Sequence, residues 1–244
     1  MKSNGPKLVP FFKTLAIYFV LFGDESRLKS VLYCVFKCLP VVSLMVFVLL
    51  HGMNFTEAYA YSRKILLGLF FSVIGDAFLV WQPDYFIHGL LAFAIGQIFY
   101  GWAFGIRPLK PFTGLCMAAV ATCLYLYLLP NLKGVMVFFT LLYIVLISFM
   151  VWRAIARFQK YEDWPWTSLS GVLGAIFFAI SDSLIAIRKF ARPVPYQHQL
   201  IMSTYYAAQM LIALSVVDSQ AEYAMEVSRR GTSKKSATNK VKVN

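Results

Sequence analysis

The sequence predicts an all-α fold: a polytopic transmembrane helical bundle of about eight spans with both termini in the cytosol. Of its 244 residues, 59% are hydrophobic and only 14% are charged, and the mean hydropathy is +0.66. This composition excludes an ordinary soluble domain. The apolar residues form continuous runs instead of alternating with polar ones, which favours membrane helices over a β-barrel.

Eight apolar segments follow one another, separated by short connectors that contain turn residues. They cover residues 8–23, 30–50, 64–82, 86–105, 110–130, 133–153, 167–187 and 197–217. All but the first are long enough for the roughly 20 residues that a span requires. The first is shorter and contains Pro10 and Lys13, so it is a tilted span, an interfacial helix or a signal-like element. We predict a single bundle over residues 1–218 and a basic, disordered cytosolic tail over residues 219–244.

The orientation of the bundle follows from its basic residues. Of the 23 Lys and Arg residues, 16 lie on the side of the N-terminus, the even-numbered connections and the tail. Six lie on the opposite side, and Lys37 lies within a span. Because cytosolic loops carry the excess of Lys and Arg, we place both termini in the cytosol. If the first segment does not span, only the N-terminus changes side.

The basic tail also bears on location and partners. Its last residues, Lys240 to Asn244, match the pattern of lysines at positions −3 and −5 found in membrane proteins that are retrieved to the endoplasmic reticulum. We therefore predict an integral, multi-pass protein of that membrane. The formal net charge of +12 is interpreted as a solvated tail near anionic lipid, and no nucleic-acid partner is expected.

The cysteines and histidines do not indicate a metal or redox site. The cysteines, Cys34, Cys38, Cys116 and Cys123, all fall within apolar runs, which is typical of reduced thiols in a membrane core. The histidines lie at span ends and not all on the same face of the membrane, so they do not converge on one metal ion. We expect neither a metal nor an organic cofactor.

Two aspartates interrupt apolar spans. Asp76 follows Gly75, and Asp182 lies between two serines; an ionisable residue at such a depth costs about 2.5–3.5 kcal/mol. With the orientation above, both lie on the non-cytosolic side of the midplane. Lys37 lies there too, on a helix of opposite direction, so the three groups share a layer about 5–8 Å from the midplane at the rise of an α-helix.

Polar residues nearer the midplane accompany this layer: Gln97, Tyr205, Tyr206 and Gln209. A purely structural interpretation stays open, because Lys–Asp pairs and Gln or Tyr side chains also hold membrane helices together. If both aspartates share Lys37, however, one carboxyl group is left without a counter-charge. That carboxyl must be protonated or exposed to a polar cavity.

An ordered set of short motifs resembles one known family. The motifs are Lys37-Cys38-Leu39-Pro40, Gly75-Asp76-Ala77, Phe93-Ala94-Ile95-Gly96-Gln97 followed by Tyr100, Ser181-Asp182-Ser183 and Tyr205-Tyr206-Ala207-Ala208-Gln209. In order and spacing they resemble the YhhN-like lysoplasmalogenase family, an eight-span set of membrane proteins, over about residues 31 to 217. Many members carry a His where this chain has Gln97, so we assign no general-acid role to that position.

The resemblance implies hydrolysis of the vinyl ether bond of a lysoplasmalogen, which yields a fatty aldehyde and glycerophosphoethanolamine or glycerophosphocholine. This reaction needs a proton donor and a negative charge near an oxocarbenium ion, and two neighbouring carboxyl groups supply both. We therefore expect Asp76 and Asp182 to be catalytic. The expected supporting and substrate-binding residues are Lys37, Gln97, Tyr100, Ser181, Arg188, Tyr205, Tyr206 and Gln209. Arg188, with Lys189 and Arg192 nearby, is expected to receive the lipid phosphate.

One other function would use the same residues, and the residues argue against a third. A proton-coupled transporter of a small molecule or lipid would also carry intramembrane aspartates. A lipid-binding regulatory homologue without activity would not need Lys37, Asp76 and Asp182 together. The expected partners of the enzyme are a lysoplasmalogen and the bilayer. The sequence does not establish whether ethanolamine or choline is the preferred head group, which aspartate is the acid, or what the oligomeric state is.

Overall fold

The computed structural model describes residues 5–22, 30–158, 166–193, 195–221, 223–225 and 227–228. This part of the chain contains eight α-helices and no β-strand, so the prediction of an all-α bundle is confirmed. The helices are α1 (Gly5–Phe22), α2 (Val31–Leu50), α3 (Ala60–Val80), α4 (Phe86–Phe104), α5 (Pro111–Leu128), α6 (Val135–Phe158), α7 (Trp166–Phe190) and α8 (Gln197–Leu214). Two short 3-10 helices, Glu57–Tyr59 and Leu129–Asn131, precede α3 and follow α5.

Most of these helices are long and apolar enough to cross a membrane. Among the described residues, α1, α2, α4, α5, α6 and α7 meet that condition, and α8 makes a seventh with a short segment, Ser219–Met225, that follows a bend of 42°. The helix α3 is less apolar because it carries Arg63, Lys64 and Asp76. The chain is therefore a multi-pass integral membrane protein, in agreement with the roughly eight spans predicted.

The helices pack in a defined arrangement. The most extensive contacts join α3 to α4 and α7 to α8; α2 bridges the two pairs by contacting α3 and α8. On the other side, α6 joins α4 to α7. These six helices surround the interior, whereas α1 packs mainly on α2 and α5 mainly on α6. In α5 only Leu128 is fully buried, so this helix presents most of its surface to the outside of the bundle.

Glycine allows the two main helix pairs to approach closely. A Cβ atom on Gly68 of α3 would lie 2.2 Å from the ring of Tyr100 in α4, and one on Gly75 would lie 2.6 Å from the ring of Phe93. In α7, a Cβ atom on Gly174 would lie 2.9 Å from the backbone nitrogen of Ile212 in α8. Small residues at these contacts let membrane helices pack tightly. They bring the helices that carry the two aspartates into one core.

Several helix boundaries differ from the sequence prediction, and three of the differences place charged residues within helices. The helix α3 begins at Ala60, α6 continues to Phe158 and α7 continues to Phe190. Arg153 therefore lies inside α6, where its Nε donates to the carbonyl of Gly105 at 2.6 Å. A helix can continue through charged residues at its end, because Arg and Lys side chains extend from the span towards the polar interface.

The chain termini are only partly described. Described residues at the start of the predicted tail, between 219 and 228, are helical, whereas the retrieval motif at Lys240 and Lys242 lies outside the described residues. The placement of the termini in the cytosol stays a prediction. All four cysteines are free, as expected.

Candidate active site

The two intramembrane aspartates line one chamber of about 430 Å³. The chamber is enclosed by α2, α3, α4, α7 and α8 and lies towards the end of the bundle where α3 connects to α4 and α7 connects to α8. Its polar lining residues are Tyr33, Lys37, Asp76, Gln82, Ser181, Asp182, Arg188, Lys189, His198 and Tyr205. The layer of Lys37, Asp76 and Asp182 that the sequence predicts is thus a single polar site within an apolar bundle.

Asp76 is held by a cation and a hydroxyl group. Lys37 Nζ lies 3.3 Å from Asp76 Oδ1 and also donates to the backbone carbonyl oxygen of Asp76 at 3.3 Å. Tyr205 donates its hydroxyl to Asp76 Oδ2 at 2.5 Å. Asp76 is only 2% exposed, so water screens these contacts little. Both partners stabilise the ionised carboxylate.

Asp182 has neutral partners instead. Tyr143 donates its hydroxyl to Asp182 Oδ2, and Gln97 Nε2 donates to the same oxygen at 3.2 Å. Within the described part of the chain, no Lys or Arg nitrogen forms an ion pair with this carboxyl group. Removing a carboxylate from water without a counter-charge is costly. The surroundings of Asp182 therefore favour a protonated carboxyl group far more than those of Asp76 do.

Asp182 also lines a second, apolar cavity. This slot lies between α4, α5, α6 and α7 and includes Leu79 of α3. Its other lining side chains are Phe86, Leu90, Phe93, Leu124, Thr140, Tyr143, Ile144, Ile147, Ser183, Ile185, Ala186 and Phe190. Asp182, Leu79, Phe93 and Ile185 line both cavities. These four residues lie where the polar chamber meets the apolar slot, and Asp182 is the one ionisable residue among them.

The slot is narrow. Its volume of about 60 Å³ equals roughly two molecules of liquid water. A long alkyl chain therefore fits only if most of it extends past the slot towards the lipid. Leu124 belongs to α5, which packs mainly on α6, so this wall of the slot is close to the outside of the bundle.

Four of the predicted supporting residues lie behind the chamber and do not line it. Gln97 contacts Asp182, as described above. Tyr206 donates to the backbone carbonyl of Lys37 at 2.8 Å, and Tyr100 donates to Gln209 Oε1 at 2.7 Å. These bonds join α8 to α2 and to α4. They position the helices that carry the site, and Tyr206 fixes the backbone of the lysine that pairs with Asp76.

The remaining predicted residues lie at the chamber wall. Ser181 donates to the carbonyl of Ile201 at 3.1 Å, which joins α7 to α8 beside Asp182. Arg188 and Lys189 both line the outer part of the chamber, whereas Arg192 is not among its lining residues. The extension of α7 to Phe190 explains this difference, because Arg188 and Lys189 belong to its last turn and Arg192 follows it.

Sequence reasoning missed Tyr143 and His198. Tyr143 lies in an apolar stretch of α6 and is one of 14 tyrosines, so no sequence signal distinguished it. His198 was interpreted only as a residue at a span end. It lines the chamber, and its Nε2 lies 3.2 Å from the hydroxyl of Tyr18. Within the described residues, no group of three or more His, Cys, Asp and Glu side chains is arranged to hold a metal ion.

Comparison with known proteins gives a consistent result. The model of the YhhN family matches residues 32–216. The chain is 50% identical to human lysoplasmalogenase TMEM86A over 222 residues, which cover 90% of this chain and 92% of the human protein. It is 38% identical to pig lysoplasmalogenase TMEM86B, with 88% of each chain covered. A lysoplasmalogenase homolog of Dictyostelium discoideum is 24% identical, with 86% of this chain and 85% of that protein covered. No solved structure matches the chain.

Proposed function

The chain belongs to the YhhN family, and we propose that it is a lysoplasmalogenase that uses Asp182 as general acid and Asp76 as an ionised partner. The substrate is a lysoplasmalogen, and the products are a fatty aldehyde and the glycerophospho-head group. The observation that carries this proposal is the location of Asp182 at the meeting point of the chamber and the slot. A lysoplasmalogen has its vinyl ether at the corresponding point, between a polar head and an apolar chain.

The reaction begins with transfer of the Asp182 proton to the β-carbon of the vinyl ether. The α-carbon becomes an oxocarbenium ion, and water adds to it while returning a proton to Asp182. The resulting hemiacetal collapses: its hydroxyl proton moves to the glycerol oxygen, the carbon–oxygen bond to glycerol breaks and the aldehyde forms. The net reaction consumes one water molecule and restores the protonated acid, so it requires no other reactant.

The two carboxyl groups have different neighbours, and their proposed roles follow from that difference. Asp76 has Lys37 and the Tyr205 hydroxyl as partners, so it is the carboxylate that stabilises the developing cation. Among the described residues, the donors to Asp182 are the neutral side chains of Tyr143 and Gln97, so it is the group that holds a proton. Glycosidases divide their two carboxyl groups in the same way around a similar cation.

A proton-coupled transporter is the second candidate. Polar side chains continue from the chamber into the core, because Tyr205 contacts Asp76 and lies in α8 with Gln209, which accepts from Tyr100. In a transporter, such side chains would relay protons or line the path of the transported molecule. Transport needs a gradient across a membrane, whereas hydrolysis does not.

The two candidates are separated by assaying the purified chain in detergent. We expect release of fatty aldehyde from a 1-alkenyl lysolipid with no gradient present. Two matched lipids serve as controls: the 1-acyl and 1-alkyl lysolipids of the same chain length and head group lack a vinyl ether and should remain intact. Absence of aldehyde from folded, monodisperse protein would contradict the proposal, and so would equal hydrolysis of the 1-acyl lipid.

A further inference from the structure

The outer part of the chamber is cationic. Arg188 and Lys189 of α7 and His198 of α8 line it, together with Gln82 and Pro83 from the connection between α3 and α4. Resting on the proposed function, we infer that the site binds the phosphate of its lipid and not the amine, so that alkenyl glycerophosphates, which have a phosphate monoester and no amine, are substrates of the same centre. This adds a class of acidic lipid to the zwitterionic lysoplasmalogens.

The cations lie at the distance that the phosphate requires. Arg188 follows Asp182 by six residues along α7, a rise of about 9 Å. In the lipid, seven bonds separate the vinyl β-carbon from phosphorus, and an extended chain covers about 8 Å over that number of bonds at ordinary bond dimensions. With the β-carbon at Asp182, the phosphate therefore reaches the level of Arg188 and Lys189.

Lys189 and His198 are held in place by aromatic neighbours. Lys189 Nζ lies 3.6 Å from the centre of the Phe86 ring, and Phe86 lines the adjacent slot. The His198 ring is fixed by the Tyr18 hydroxyl, which in turn lies 3.3 Å from the hydroxyl of Tyr33 at the chamber wall. Preorganised donors lose less conformational entropy when an anion binds. Guanidinium and ammonium groups in such positions suit a phosphate.

The part of the lining that the structure describes offers no counterpart for an amine. Among the described residues that line the chamber, the acidic ones are Asp76 and Asp182, and both lie deeper than Arg188. An ammonium group attached beyond the phosphate would lie further from these carboxyl groups and close to Arg188 and Lys189, which repel it. The lining aromatics are Tyr33, Phe93 and Tyr205, and the last two lie at the level of the aspartates. One ring near the opening is not the aromatic cage that binds quaternary ammonium groups.

Loss of the amine therefore removes its repulsion by Arg188 and Lys189 and makes the phosphate more negative. A phosphate monoester carries about −1.5 to −2 charges at pH 7 because its second ionisation lies near pH 6, whereas the phosphodiester of a lysoplasmalogen carries one. The chemical step is unchanged, since proton transfer still takes place at the vinyl ether. The products become the fatty aldehyde and glycerol phosphate.

The test measures kcat/KM of the purified full chain for three lipids with the same alkenyl chain and different head groups: phosphate, phosphoethanolamine and phosphocholine. We expect the phosphate lipid to react at least as efficiently as the other two, and those two to differ by less than about threefold, because the amine is not bound. Arg188→Gln and Lys189→Gln should each raise KM for the phosphate lipid about tenfold, raise it less for the zwitterionic lipids and leave kcat nearly unchanged. Lys133→Gln, which neutralises an exposed cation outside the chamber, is the matched control.

Failure of the inference differs from failure of the proposed function. If the ethanolamine lipid is cleaved and the phosphate lipid is not, the amine is recognised and the inference is wrong, while the lysoplasmalogenase assignment stands. An unchanged KM in both Arg188→Gln and Lys189→Gln would also overturn it. If none of the three lipids releases aldehyde, the proposed function itself fails.

Discussion

The proposed division of roles between the two carboxyl groups depends on single residues. Lys37 lies 3.3 Å from Asp76 Oδ1, whereas Tyr143 and Gln97 donate to Asp182. In a membrane interior the partner of a carboxyl group decides which protonation state is favoured, because a charge without a counter-charge is costly there. The role proposed for each aspartate therefore follows from the side chain opposite it, not from its own position in its helix.

Sequence reasoning predicted part of this site at the residue scale. Helix direction and rise per residue bring Lys37, Asp76 and Asp182 to one level, and all three line the same chamber. The same reasoning cannot pair Lys37 with Asp76, because depth fixes the position along the membrane normal and leaves the lateral neighbours open. Tyr143 was missed for that reason: its contact with Asp182 depends on how α6 is rotated against α7.

The ion pair makes a prediction about stability. Lys37→Met leaves Asp76 buried without a cation, and breaking a buried pair in this way costs about 3–5 kcal/mol. We expect a lower Tm in detergent and reduced accumulation. Adding Asp76→Asn to Lys37→Met removes the unpaired charge, so the Tm should recover. Activity should be absent from the double variant, because the carboxylate proposed to stabilise the cation is gone.

Lys13→Met is the control for this prediction, because Lys13 is an exposed lysine in α1. It should leave both the Tm and the activity unchanged. The account of the pair would be wrong if Lys37→Met melted like the parent chain, or if the double variant were less stable than Lys37→Met alone.

At the scale of elements, the site depends on two closely packed helix pairs. Gly68 and Gly75 let α4 approach α3, and Gly174 lets α8 approach α7. The eight apolar runs predicted these helices because each run is long enough for a span. They did not predict which helices pair or where α7 ends, and its extension to Phe190 brings Arg188 and Lys189 into the chamber wall. Pairing depends on side-chain fit across helices, which hydropathy does not record.

The slot between α4 and α7 makes a prediction about chain length. Leu90 lines the slot, whereas its neighbour Leu91 is 40% exposed on the outside of α4. Leu90→Trp fills the slot, so we expect a higher KM for long-chain 1-alkenyl lysolipids and a smaller effect on short-chain ones. Steady-state kinetics with a series of chain lengths measures this.

Leu91→Trp places the same ring at the neighbouring position outside the slot, and it should behave like the parent chain at every chain length. If Leu90→Trp affected short and long chains equally, or if the two variants were indistinguishable, the alkenyl chain would lie elsewhere.

At the scale of the whole molecule, the fold combines a polar end with an apolar interior. The chamber lies towards the end of the bundle formed by the connections from α3 to α4 and from α7 to α8. Composition alone predicted a membrane bundle because so few residues are charged. It did not predict a cavity, since a cavity arises where helices fail to fill the space between them.

The distribution of basic residues makes a prediction about topology. We expect both termini to be cytosolic and the opening of the chamber to be non-cytosolic, since 16 of the 23 Lys and Arg residues lie on the side of the termini. In cells whose plasma membrane is permeabilised while the organelle membrane stays sealed, antibodies should reach epitope tags at both termini. A glycosylation acceptor inserted in the connection from α7 to α8 should be modified. Modification of an acceptor placed between α4 and α5 instead would reverse the orientation.

The most direct test of the proposed mechanism is aldehyde release by Asp182→Asn, compared with Asp76→Asn and the parent chain in detergent. Asn keeps the size of Asp182 and an acceptor for Tyr143 but has no proton to donate to carbon, so we expect a loss of at least about 10²–10⁴-fold, the usual contribution of a general acid. Asp76→Asn should also abolish release, while Asp84→Asn, at an exposed aspartate between α3 and α4, should not. Asp182→Asn and Asp84→Asn should accumulate as the parent chain does, whereas Asp76→Asn leaves Lys37 buried without its partner and is compared at an equal amount of folded protein. If Asp182→Asn accumulated normally and released aldehyde within tenfold of the parent rate, Asp182 would not be the acid and the mechanism would be wrong.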